Sequence, residues 1–147
     1  MRKLMFVLAA VLALGVIAAG CGSDDDSSDS KSEITKEEFL AQGNAICDAG
    51  NKVTDAAGEA LGANPTEEQI NAAITDTVLP SIEGQLADLR DLGIPEGEED
   101  AVNKFYDDAD AAIESAKDDP TVLTDGDVFA DVNEQAKAIG LTSCGSE

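Results

Sequence analysis

Arg2 and Lys3, an unbroken apolar run from Leu4 to Ala19, and the small residues Ala18-Ala19-Gly20 ahead of Cys21 have the layout of a secretory signal peptide ending in a lipobox. Residues 1–20 are therefore expected to be removed, leaving Cys21 as the lipid-bearing first residue of the mature chain. The run is at the short end of what crosses roughly 30 Å of hydrocarbon, and no charge closes its far side, which argues against an uncleaved anchor. For folding, the consequence is a compartment. The chain has three cysteines, and with Cys21 lipidated outside the reducing cytosol, Cys47 and Cys144 are left to pair. Such a bridge closes a loop of about 100 residues, worth about 4.7 kcal/mol on the chain-entropy account. Whatever forms must bring the end of the chain onto the segment around Cys47. A redox or metal-binding pair is the less favoured reading, because there is no Cys-X-X-Cys and the neighbour of Cys47 is Asp48, not a cation.

Between the cysteine and the domain, residues 22–32 hold glycine, serine, aspartate and one lysine, with nothing apolar to bury. Residues 21–32 thus read as a lipidated cysteine with a disordered acidic tether reaching about 18 Å, from 5 to 6 Å times the square root of its length. The formal charge of −22 becomes −24 once Arg2 and Lys3 leave with the signal peptide. An anionic membrane would repel that charge, but screening over roughly 8 Å is shorter than the tether's reach. Seven bases against 31 acids cannot neutralise phosphates, so nucleic acid is excluded as a partner.

Hydrophobic periodicity separates residues 33–147 from a merely disordered acidic chain. Thr35 with Glu38 forms a capping box, and Ile34 with Phe39 the staple around it. Phe39, Ile46, Val53 and Leu61 then recur near helical spacing, with Gly43, Gly50 and Ala57 between them, predicting a helix over about 36–60 that Gly62 to Pro65 ends. Thr66 and Gln69 repeat the capping box. Ile70, Ile74, Val78, Ile82, Leu86 and Leu89 follow in steps of three and four, and because the stripe crosses Pro80 in phase it predicts one long helix kinked there. Gly93 to Pro95 stops it. An acidic group from Glu96 to Asp100 favours the start of a third helix, with Val102, Phe105, Tyr106, Ala109, Ile113 and Ala116 as its apolar face. Phe129, Val132, Ala136 and Ile139 mark the last, capped by Gly140. The expected fold is all-α: one domain, a small antiparallel four-helix bundle with the second helix kinked at Pro80 and one disulfide tying the C-terminus to helix 1.

The chemistry available is sparse. No histidine occurs, which removes the commonest general base and the Ser-His and Cys-His nucleophile systems. Paired carboxylates could hydrolyse a sugar, but with one Tyr and no Trp there is little to stack on it. No enzyme, cofactor or metal is expected. Asp107, Asp110 and Glu114, with Asp100 and Asp108 nearby, share a helix face, yet calcium wants six to eight oxygens and a bent loop. They read as a solvated face. Asn44, Asp48, Asn51 and Asp55 flank Cys47 as a polar stripe, and the favoured reading is the outer face of an amphipathic helix. A ligand-sized gap beside the Pro80 kink is the alternative to a core packed by Ile, Leu and Ala, which is expected.

The lipobox, the acidic Ser/Asp spacer, Ile-Thr-Lys-Glu-Glu-Phe (34–39), Ala-Gln-Gly-Asn-Ala-Ile-Cys (41–47), Leu-Pro (79–80) and Gly-Leu-Thr-Ser-Cys-Gly (140–145) together resemble a group of small actinobacterial lipoproteins without assigned activity. That resemblance implies an all-helical extracytoplasmic domain with one disulfide and carries over no catalytic residue. The functional expectation is a monomeric binding or interaction module, held by lipid on Cys21 at the outer face of the cell membrane. Its partner would be an envelope protein, a cationic peptide or a small ligand. The alternative is a structural or colloidal envelope component without a specific ligand.

Overall fold

A computed structural model describes residues 34–124, 126 and 128–145. The predicted signal peptide, the acceptor Cys21 and the tether lie outside the described residues. Among those described, all regular structure is helical and no strand occurs.

Helix α1 (Lys36–Leu61) starts where the local chemistry demands. The Glu38 N–H donates to Thr35 Oγ1 at 3.2 Å, and the Thr35 N–H donates back to Glu38 Oε2 at 3.1 Å, closing the capping box. The Thr35 hydroxyl, which donates to Glu38 Oε2 at 2.8 Å, and then the Thr35 N–H hold the Glu38 carboxyl below its usual range. The buried line of α1 is Phe39, Gly43, Cys47 and Gly50. It differs from the predicted stripe: Val53 is 44% exposed, Ile46, Ala57 and Leu61 are only half-buried, and Cys47 joins the line. Small residues form the contact, because other chain segments come down onto them: a Cβ on Gly43 would meet Leu141, and one on Gly50 would overlap the Gln85 carboxamide.

A second capping box, Thr66 with Gln69, opens α2 (Glu67–Ala73). A π-helical turn, Ile74–Val78, leads directly into α3 (Leu79–Asp91), the backbone staying right-handed helical at both junctions. The Leu79 N–H accordingly reaches back five residues to Ile74 O. Pro80 follows at once. Its ring lacks an N–H and crowds the turn before it, and a widened turn at that place accommodates both defects.

Helix α4 (Glu99–Asp118) buries Val102, Phe105, Tyr106, Ala109, Ile113 and Ala116, the face anticipated from spacing, together with Ala112. After it, Asp119 Oδ1 accepts from the Thr121 N–H at 3.0 Å and caps a single 3-10 turn, Pro120–Leu123. Helix α5 (Ala130–Ile139) buries Val132, Ala136 and Ile139. Gly140, at φ 107°, turns the chain left-handed, and the Leu141 N–H donates to Ala136 O at 2.8 Å, a Schellman closure.

Helix α1 packs on α2 and α3, α3 on α4, and α4 on α5. The main core gathers Phe39, Cys47, Leu86, Leu89, Phe105 and their neighbours, and a smaller one joins Ile74 of the widened turn and Leu79 at the start of α3 to Ala116 of α4. Cys47 and Cys144 are disulfide-bonded, with Cα atoms 4.9 Å apart.

The tail from Gly140 to Gly145 is held by more than sulfur. Asn44 Nδ2 donates to Leu40 O at 2.8 Å and to Gly140 O at 3.1 Å, while its Oδ1 accepts from the Ser143 N–H at 2.8 Å. Asn51 Nδ2 donates to Ser143 O at 2.8 Å. The Asn44–Asn51 stripe is therefore not an outer face. Its two carboxamides clasp a segment more than 90 residues away in sequence, leaving only Asp48 and Asp55 in solvent. Asn44→Ala strips partners from half-buried backbone groups at both ends of the clasp and is expected to cost about 2 kcal/mol of unfolding free energy, read from urea midpoints. Asn44→Asp keeps the acceptor for Ser143 but has one donor when neutral and none when ionised, so by the same urea midpoints it should be the milder change only below the carboxyl pKa.

Candidate functional site

A cleft of about 280 Å³ opens beside the disulfide, where α1, α3, α4 and α5 converge. One wall is Val78 of the π turn with Ile82, Leu86 and Leu89 of α3, members of the stripe whose phase runs through Pro80, and Gln85 beside them. Phe105 and Ala109 of α4 form the floor, and Phe129 with Val132 and Asn133 closes the α5 side. Cys47, Asn51 and Thr54 complete it from α1, with Cys144 alongside. A fully packed core was the expectation at this place. Ala109 and Thr54 contribute only short side chains to the cleft lining.

The polar groups of the lining are three carboxamides and one hydroxyl, with no charged side chain. Gln85 Nε2 donates to Ser81 O at 3.2 Å, and Thr54 Oγ1 donates to Asn51 O at 2.9 Å. Among the described residues, the Gln85 Oε1 and the whole Asn133 carboxamide have no protein hydrogen-bond partner. Gln85 is also placed by its neighbour: its carboxamide lies flat against α1 at Gly50, a position that any Cβ would occupy. Neither Gln85 nor Asn133 stands out in the sequence. The one signal was Gly50, a glycine on the inward line of a helix, which marks close approach by something else.

The acidic face of α4 behaves as a solvated surface with specific pairs. Asp110 meets Arg90 at 2.7 Å and Glu114 meets Lys117 at 3.0 Å, while Asp107 is simply exposed. Asp108 is held below its ordinary value, first by Lys104 and then by the Gln135 amide at 2.6 Å. Lys117, between Glu83 and Glu114, is raised above its ordinary value by those carboxylates. Among the described residues, no group of three or more Cys, Asp or Glu side chains is placed to hold a metal ion. Among the same residues, no helix is long and apolar enough to cross a membrane.

Compared with family models, curated proteins and solved structures, the chain finds no match.

Proposed function

We propose that this protein is a lipid-anchored, extracytoplasmic binding module of the bacterial cell envelope, and that it takes a small molecule into the cleft beside the Cys47–Cys144 bridge. In this reading Cys21 carries the lipid, and residues 22–32 hold a monomeric antiparallel four-helix bundle just off the membrane. The α2–α3 helix bends at Pro80, and the cleft lies along the wall that follows the bend. The observation that carries the reading is a mostly apolar cleft of about 280 Å³ with convergent, partly unspent carboxamides, just below the roughly 300–1,000 Å³ of drug-sized sites and so suited to a smaller molecule.

Binding rather than catalysis suits the lining. Carboxamides, a hydroxyl and a structural disulfide orient a ligand without exchanging protons with it, and no carboxylate, lysine or histidine faces the cleft. The surface charge keeps nucleic acid away.

The test uses the processed chain, residues 21–147 with Cys21→Ser, so that neither lipid nor micelle competes for the probe. 1-Aminoanthracene, an uncharged apolar fluorophore, should bind saturably at one site, and Thr54→Trp, which fills the half-buried rim, should abolish the signal while leaving the helical circular dichroism intact. Absence of saturable binding would favour a structural envelope component whose contribution is its acidic, stable presence. The anchor is checked separately: Cys21→Ala in cells should no longer partition into detergent.

A further inference from the structure

We infer that the cleft selects an uncharged amphiphile, an apolar body of short-chain or small fused-ring size bearing one hydrogen-bonding head such as a hydroxyl or carboxamide; the inference rests on the binding reading above. The size follows from the volume of about 280 Å³. The head follows from what the walls leave unspent. Gln85 and Asn133 offer both donors and acceptors at the cleft, from α3 and α5, so a head that gives and receives hydrogen bonds is matched, whereas a pure hydrocarbon would leave these groups desolvated and unpaired.

Charge decides the rest. An anionic head finds no cation in the lining and must approach a domain with 27 acids against six bases from Glu33 to Glu147. A cationic head gains from that field outside, but the field decays over roughly 8 Å in physiological salt, and inside the cleft no carboxylate receives it. A buried charge without a partner is disfavoured more strongly than distant, screened charges can offset.

Gly50 makes the head-reading side of the cleft a built feature. Only glycine lets the Gln85 carboxamide lie against α1, since a side chain there would push it off the wall. A glycine in a helix interior is otherwise unfavourable.

The experiment measures displacement of 1-aminoanthracene from the same processed chain by three molecules of one body, 1-octanol, octanoate and octylammonium. Octanol should displace the probe at a concentration at least tenfold below either ion, and raising salt should not reverse the order. Gln85→Met, which keeps the length and apolar stem, should weaken octanol about threefold or more after correction for the probe affinity measured by direct titration of the same variant. Octanoate or octylammonium within tenfold of octanol overturns the uncharged assignment, and unchanged octanol affinity in Gln85→Met overturns Gln85 as the reader of the head. Both results leave cleft binding standing. Failure of the probe itself to bind removes the binding reading and this inference together.

Discussion

Joint replacement of Cys47 and Cys144 by alanine should lower the unfolding free energy by about 4 to 5 kcal/mol, a drop comparable to the whole stability of a small domain. The bridge spans 97 residues, so its main action is on the unfolded chain, where it removes the freedom of a loop covering nearly all of the helices. Alanine is the right substitute at Cys47, which is 2% exposed, because a serine hydroxyl there would add a desolvation cost that belongs to neither sulfur. In the folded state the tail has other holds. Leu141 is 0% exposed, worth about 2 kcal/mol by burial alone, and Asn44 and Asn51 clasp the backbone around it. The variant should therefore keep its helical circular dichroism at neutral pH while its urea midpoint falls sharply. A loss below about 1 kcal/mol would mean that the clasp already confines the unfolded ensemble. A variant with no helical signal would mean that the clasp cannot hold the tail alone.

That division between bridge and clasp also marks what could be read from the chain. The caps were legible because each is a conversation among four adjacent residues: Thr35 with Glu38 and Thr66 with Gln69 need no tertiary partner. The pairing of Cys47 with Cys144 was legible by elimination. Asn44 and Asn51 were misread as a solvent face because their partners, Gly140 and Ser143, lie more than 90 residues away, and nothing local distinguishes a carboxamide that reaches water from one that reaches a returning backbone. The same holds for α1 as a whole. Its period was correct, but the contact line runs through glycines and Cys47 instead of through Val53, since the neighbours that chose the close face come from α3 and the tail.

Around Pro80 the phase of the apolar stripe correctly announced uninterrupted helix, while the π turn that absorbs the proline is a backbone adjustment with no side-chain signature. The cleft was invisible for a related reason. Its volume is what remains when Ala109, Thr54 and the α3 stripe fail to fill the space between helices, and spacing tells which residues face inward without telling how far apart the faces stand.

In strong alkali, stability should fall by about 2 kcal/mol between pH 10 and pH 12, and by about 3 kcal/mol once the titration is complete, because of one residue. Tyr106 is 5% exposed and its Oη has no hydrogen-bond partner among the described residues. Burial pushes its pKa up to about 12, and Arg90, whose guanidinium lies 5.0 Å from the ring centroid, opposes the rise without cancelling it. The folded value lies above the unfolded value of about 10, so the folded state retains the phenolic proton where the unfolded state releases it. The contribution is fully present below pH 10 and is lost as pH rises through the folded pKa, two units at about 1.4 kcal/mol each. Because the chain contains one tyrosine and no tryptophan, tyrosinate absorbance of the native protein reports this group alone and should titrate near 12. The decisive comparison is with Tyr106→Phe. That variant should be more stable than the parent at pH 7 by about 1 kcal/mol, since it removes a buried hydroxyl with no partner, and its stability should decline less steeply above pH 10. A native tyrosine titrating near 10, or a phenylalanine variant that is clearly less stable at neutral pH, would show that the hydroxyl is solvated or bonded after all, and the burial argument at the centre of α4 would fall.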